Sequence, residues 1–437
     1  MMGSGRNAED DVTMRESRRG ISPVVLTLSV LLALLVGGGA GLVAGRLTAR
    51  RPTASGASGR HSTGSASSAD RARAGGARNR GTLGSSGVTG TGQGGRAAAS
   101  TTTTAPAALA VTAVTPAEGE TAVPATSRIS VTFSAPAAAG SPLPSITPST
   151  PGAWQVDGDR LVFTPSEPFV PLSEVTVTVP GGRDGVHAED GATLPRSVVD
   201  RFRVENGSVL RLQQLLSLLD YSPLAFRPSS AEIPPTDTAA QLAALYRPPA
   251  GSFAWREQGW PEQLLEMWRP GVFDVLTKGL VMSFQADHGL TPDGAVGPQT
   301  WAALVQAWGQ HDLNTGGYDY ALVDKTPPET LSVYHDGRLL LRSPANTGVP
   351  ASPTPDGTFP VYTRLRSQVM RGTNPDGTHY ADLVQYIAYF HGNDAVHYMP
   401  RADYGIPQSL GCVELPLAEA ARVWPYLAYG TLVTVIG

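Results

Sequence analysis

After residue 109 the spacing of apolar residues changes twice, and this change of period constrains the fold more than any other feature of the chain. Residues 110–205 alternate as half-buried strands do, at Ile129, Val131 and Phe133, at Leu161 and Phe163, and at Val175, Val177 and Val179. Turn-forming Asp157-Gly158-Asp159 and Gly181-Gly182 separate them, which predicts a β-sandwich of short strands. Residues 207–309 switch to helical spacing, with Val209, Leu212, Leu215, Leu216 and Leu219 on one stripe. Residues 318–437 return to alternation at Leu331, Val333, Leu339, Leu341, Phe359, Val361 and the closing Leu432-Val433-Thr434-Val435-Ile436, with one helix near 417–426. A chain of 437 residues exceeds a single core, so the expectation is a multidomain protein: β-sandwich, α-helical domain, mostly β domain.

The first 109 residues read differently. Residues 21–44 are almost all Val, Leu, Ile, Ala and Gly without a charge, long enough at 1.5 Å per residue to cross a ~30 Å hydrocarbon core. A leader over 1–20 carrying Arg15, Arg18 and Arg19 favours a retained signal anchor over 21–45, with the leader cytoplasmic and everything after it outside; a cleaved signal sequence is the other reading. Residues 46–109, rich in Gly, Ser, Ala and Thr, bury too little apolar surface to offset chain entropy and read as a disordered linker. That linker holds nine Arg against one Asp, while the chain as a whole is at −4, so the domains beyond it are acidic. Acidic, exported domains exclude nucleic acid as a partner. The expected location is the cell membrane, crossed once, with the domains in the cell wall.

One cysteine occurs in the whole chain, Cys412, and outside the cytoplasm a lone thiol has no internal partner. Ser409 and Gly411 flank it, and two histidines stand upstream, His391 and His397. The string from Tyr386 to His397 reads as two strands joined at Gly392-Asn393-Asp394, which puts His391 at the hairpin tip and His397 within the second strand, on the side of Ala395 and Met399. A free thiol is mostly protonated near neutrality, so an imidazole must take its proton; His397 is the better-placed base. A small buried hydrophobe is the plainer reading of the cysteine.

The string Ser409-Leu410-Gly411-Cys412-Val413, after Ala395-Val396-His397-Tyr398, resembles the S-H-G-C signature of YkuD-type L,D-transpeptidases. Tyr320 to Asp324, Asn346-Thr347-Gly348-Val349, Thr354 to Phe359 and Gly430 to Val433 extend the resemblance over residues 318–437. Phe284-Gln285, Gly289-Leu290, Asp293-Gly294, Val296-Gly297-Pro298 and Thr300-Trp301 resemble the three-helix peptidoglycan-binding domain, interrupted here by an insertion over about 221–270. Its Trp255, Trp260 and Trp268 read as core of an elaborated domain, with a polymer-facing surface as the second reading. Pro116 to Glu120 and Phe163-Thr164-Pro165 resemble bacterial Ig-like domains.

The resemblance implies a cysteine-dependent acyltransferase forming 3→3 cross-links in peptidoglycan through a thioester, with peptidoglycan stem peptides and glycan as partners and no metal or cofactor. Cys412 would be the nucleophile and His397 the base, oriented by the backbone carbonyl of Tyr398; the Ser409-Leu410-Gly411 turn and its N–H groups would form the oxyanion loop. Met370 and Tyr380 match lid positions by order and would contact substrate, as would Glu414, where the family usually has a basic or amide residue. The family's S-H-G-C histidine is Leu410 here. Water in place of an amine acceptor would make an L,D-carboxypeptidase, and a decayed site would leave a non-catalytic wall-binding scaffold.

Overall fold

Alternating Val, Ile and Phe build the first folded region into two facing sheets. The computed structural model describes residues 107–374 and 376–437; the expected leader, the apolar run and nearly all of the expected linker lie outside them. Among the described residues no helix is long and apolar enough to cross a membrane. One sheet joins β1 (Val111–Thr115), β2 (Ile129–Phe133), β5 (Arg160–Pro165) and β4 (Gly152–Asp157) in the order β1-β2-β5-β4, and the other has the order β3-β6-β7 (Ser145–Thr147, Glu174–Val179, Val198–Arg203). Ile129, Val131, Phe133, Leu161, Phe163, Val175, Val177, Val179 and Phe202 fill the space between them. Leu109 is buried in that core, so packing begins one residue before the expected boundary.

The helical stripe is buried as its period predicts. Leu212, Leu215 and Leu216 of α1 (Val209–Leu218) and the following Leu219 pack against α4 (Val275–Asp287) and α5 (Pro298–Gln310). The turn joining α4 to α5 is held by one buried amide. Gln285 Nε2 donates to Asp293 Oδ1 at 3.0 Å and to the Ala295 carbonyl at 2.9 Å, while Gly294 N–H donates to Gln285 Oε1 at 2.8 Å. Pro298 starts α5 at a position where no intrahelical N–H is needed. The insertion folds as β8 (Leu224–Pro228), α2 (Thr238–Tyr246), β9 (Gly251–Trp255) and the single turn α3 (Glu262–Leu265), with β8 and β9 paired antiparallel. Trp260 is buried in the helical core and Trp255 and Trp268 pack against it. The core reading of these tryptophans therefore holds.

The C-terminal region is a second sandwich. A five-stranded sheet of order β12-β11-β10-β18-β13 comprises β10 (Asp319–Asp324), β11 (Thr330–His335), β12 (Arg338–Pro344), β13 (Gly357–Pro360) and β18 (Leu432–Ile436). A four-stranded sheet runs β14-β15-β16-β17: β14 (Thr363–Thr373), β15 (His379–His391), β16 (Asp394–Tyr398) and β17 (Val413–Leu415). Between them lie Ala321, Val323, Leu331, Val333, Val433 and Val435 from one side and Ala388, Phe390, Val396, Val413 and Leu415 from the other, closed at one end by Ala420 and Val423 of α6 (Leu417–Val423).

The two central strands of the larger sheet are buried on both faces. Tyr320 pairs in parallel register with Leu432, and both point away from the sandwich core into the helical core, where Tyr318 and Trp260 join them. This explains why 320–323 and 432–436 read as nearly continuous apolar runs, as doubly buried strands do. The helical and C-terminal regions thus share a core.

Candidate active site

The parallel pairing of β16 with β17 assembles the site. Val396 lies beside Val413 and His397 beside Glu414. Val396, Val413 and Leu415 face the sandwich core. Alternation therefore sends Ala395, His397, Cys412 and Glu414 to the opposite, outer face. Cys412 packs there against Val384, Ile387 and Ala395, with Met370, Tyr389 and Met399 closing the same small cluster. The thiol and the imidazole share one face of two hydrogen-bonded strands.

His397 is only 3% exposed, and its Nδ1 lies 3.0 Å from the Tyr398 carbonyl. A carbonyl can only accept, so Nδ1 carries the proton and Nε2 keeps its lone pair. Burial lowers the pKa of His397 below its ordinary 6.5, opposed by the Tyr398 hydrogen bond and Glu414 and assisted by Arg401. Burial pushes the Cys412 thiol up to about 12, with the carboxylates of Asp394 and Glu414 adding to the rise. The thiol and the imidazole both rest neutral, a state that suits general-base activation rather than a standing thiolate. Cys412 Sγ lies 3.8 Å from the Asn393 carbonyl.

His391 occupies the hairpin tip. Its Nδ1 is 3.1 Å from Asp394 Oδ2 and its ring packs on Phe359 at 4.7 Å, with the side chain 46% exposed. It is engaged by Asp394 and Phe359.

The loop before Cys412 is fixed by short polar contacts. Ser409 Oγ donates to the Cys412 carbonyl at 2.6 Å and accepts from Gly411 N–H at 3.2 Å. Gly411 N–H is thus used inside the turn, which departs from its expected place in the oxyanion loop; the Leu410 and Cys412 N–H groups have no partner among the described residues. Thr354 Oγ1 donates to the Gly411 carbonyl at 2.8 Å and Ser352 Oγ to the Leu410 carbonyl at 3.0 Å. Gly411 has φ +116°, and a Cβ on it would collide with the Asp394 carboxylate. Glycine is required there for both reasons.

Met370 and Tyr380 come from the long β14–β15 hairpin. Met370 packs in the thiol cluster, and the Cys412 charge contributes to raising Tyr380, after burial. Tyr389 stands in the same relation to the thiol. Glu414 does not reach solvent: it is 4% exposed, and both oxygens are held by Arg401, Nε to Oε2 at 2.7 Å and Nη2 to Oε1 at 2.6 Å. Its carboxylate braces the loop instead of presenting to a ligand. Three residues to which the sequence reading gave no role in the site complete its frame. Arg401 has no local signal in sequence. Asn346 pairs its backbone with Glu414 and accepts at Oδ1 from Gly405 N–H at 2.9 Å, and Glu329, 2% exposed, accepts from Thr347 N–H at 2.7 Å and Thr347 Oγ1 at 2.8 Å. Among the described residues no cluster of His, Cys, Asp and Glu is arranged to hold a metal ion.

A two-sheet domain with one thiol and one buried imidazole on a shared face invites comparison with known families. Residues 318–435 match the L,D-transpeptidase catalytic domain family, YkuD. Residues 103–202 match the bacterial Ig-like domain family and residues 268–304 the peptidoglycan-binding domain family. The last match spans α4 and the start of α5, leaving nearly all of the insertion outside it. No curated protein matches the chain. Among solved structures, an L,D-transpeptidase from Mycobacterium smegmatis is 15% identical, covering 76% of this chain and 100% of its own, with a TM-score of 0.26. L,D-transpeptidase 3 from Mycobacterium tuberculosis is 15% identical over 75% of this chain and 99% of its own, TM-score 0.25. The catalytic domain of the E. faecium L,D-transpeptidase is 27% identical over 28% of this chain and 100% of its own, TM-score 0.25. The chain therefore combines an Ig-like domain, a peptidoglycan-binding domain and an L,D-transpeptidase catalytic domain.

Proposed function

We propose that the L,D-transpeptidase domain works through a Cys412 thioester and forms 3→3 cross-links between peptidoglycan stem peptides. The observation that supports this most is the placement of Cys412 and His397 on one face of adjacent parallel strands, with His397 Nε2 left free to accept a proton. His397 takes the Cys412 proton as sulfur adds to the carbonyl between the third residue of a tetrapeptide stem and its terminal D-Ala. The oxyanion is held by the unpartnered N–H groups of Leu410 and Cys412. The tetrahedral intermediate collapses, the imidazolium returns its proton to the leaving amine, and D-Ala departs. The side-chain amine of another stem's third residue then attacks the thioester and gives up a proton to His397; sulfur leaves as the thiol and an amide remains. Extracytoplasmic placement, anchored by residues 21–45, belongs to the same reading and rests on the sequence.

Full-length protein and its Cys412→Ala variant, incubated with disaccharide-tetrapeptide and followed by mass spectrometry, test the reading. The expected result is a cross-linked dimer with loss of one D-Ala, absent in the variant. Tripeptide alone identifies the carboxypeptidase, and neither product together with no acyl adduct overturns an enzymatic role.

A further inference from the structure

Arg401 and Glu414 form an ion pair at the base of the nucleophile loop that neither the family match nor the reaction assigns. Glu414 lies beside His397 in the strand register and is almost fully buried, while Arg401 comes from the loop between β16 and β17, thirteen residues earlier in sequence. A lone carboxylate buried there would be costly, and the bidentate guanidinium offsets it. Arg401 Nη2 also approaches the Gln408 carbonyl at 3.5 Å, next to Ser409. The pair thereby ties the loop's beginning to its end.

We infer that Arg401 is a positioning residue: its grip on Glu414 seats the loop that carries Cys412 and keeps the surroundings of His397 electrically balanced. This rests on the proposed use of Cys412 and His397 as nucleophile and base. Glu414 from β17, Arg401 from the loop and the Tyr398 carbonyl of β16 act on the imidazole. Around the thiol and the ion pair stand Asp394 at the start of β16, Tyr380, Asp382 and Tyr389 of β15, and Tyr404 of the loop. Glu414 raises His397 and Arg401 lowers it, so the paired charges oppose one another there. Removing either one unbalances the site in a direction that can be stated beforehand.

Cys412 is the only cysteine, so the rate of its alkylation by iodoacetamide, followed by intact mass across pH, reports this site in the full-length protein without requiring turnover. Arg401→Gln leaves Glu414 uncompensated, favours the His397 imidazolium and moves the acid limb of the alkylation profile to higher pH by about one unit. Glu414→Gln leaves Arg401 uncompensated, disfavours the imidazolium and moves that limb to lower pH by about as much. The reversed pair Arg401→Glu with Glu414→Arg returns the profile to that of the parent. Arg401→Lys, which keeps the charge and loses the two-pronged geometry, leaves the pH midpoint in place and lowers the plateau rate at least threefold, and it serves if either neutral variant fails to fold. Shifts in the same direction, or unmoved midpoints in both neutral variants, overturn the inference. Because alkylation needs no stem peptide, absence of transpeptidation with opposed shifts would remove the reaction and keep the brace, while normal turnover with unmoved midpoints would do the reverse.

Discussion

Gly411→Ala isolates the geometry of the Cys412 loop in a single methyl group. The residue adopts φ +116°, a region that costs a side chain about 1–3 kcal/mol. The added Cβ would also overlap the Asp394 carboxylate, which is paired with His391 and cannot move without breaking that contact. Overpacking of this kind costs about 1–3 kcal/mol. Relief comes either from swinging the Asp394 carboxylate off His391 or from shifting Gly411, which strains the Thr354 bond to its carbonyl and the Ser409 bond to its N–H. With about 3 kcal/mol against the seated loop, its population falls by roughly a hundredfold. The assay is transpeptidation or, where substrate is limiting, acylation of Cys412 by intact mass, with thermal melting alongside. A loss of about two orders of magnitude in acylation and a melting temperature lowered by a few degrees are expected. Adding Asp394→Ala to Gly411→Ala removes the collision and leaves the backbone strain, so about half of the lost free energy returns. Parent-like acylation in Gly411→Ala, or no recovery in the double variant, refutes the reasoning.

Other outcomes follow from the same structure. His397 has its pKa lowered by burial, so protonation favours the unfolded chain: stability is complete above the ordinary 6.5 and falls as pH drops from there toward the lowered value, measurable as a declining melting temperature that His397→Gln removes. The acid limb of the acylation rate lies below pH 6.5 for the same reason. Glu329→Ala leaves the buried N–H and hydroxyl of Thr347 without their acceptor and costs about 1–3 kcal/mol in chemical denaturation, with slower acylation because Thr347 O holds the N–H groups of Gln408 and Ser409. Leu432→Ala opens a cavity at the junction of the helical and C-terminal cores and costs about 2–5 kcal/mol, lowering the stability of both together in a single transition; two separate transitions would contradict the shared core.

Much of this architecture was legible because period and burial agree. Ile129, Val131 and Phe133 alternate and face one core, and Leu212, Leu215, Leu216 and Leu219 follow a helical stripe into another. Cys412 stood out because it has no companion, and His397 because a strand places it on the side of Ala395. The long hairpin of β14 and β15 was not legible: Arg364, Ser367, Gln368 and Arg371 interrupt any alternation, since much of that ribbon faces solvent on both sides. Arg401 left no trace because its partner is chosen by a parallel pairing of strands, a relation that local sequence does not encode. Glu414 looked like a surface charge near substrate for the same reason. The common core was hidden by its own regularity, as Tyr320 and Leu432 alternate with Ala321 and Val433 and only the packing of a distant helix distinguishes the two faces.

That common core sets what can be taken apart. Cutting the chain in the connector at 310–317 would strip Tyr320 and Leu432 of their cover and leave an oily flank on each fragment. The smallest fragment expected to fold is then the helical and C-terminal regions together. A pull on the helical region would reach the thiol-bearing sandwich as shear through packed side chains, with no slack to take up first.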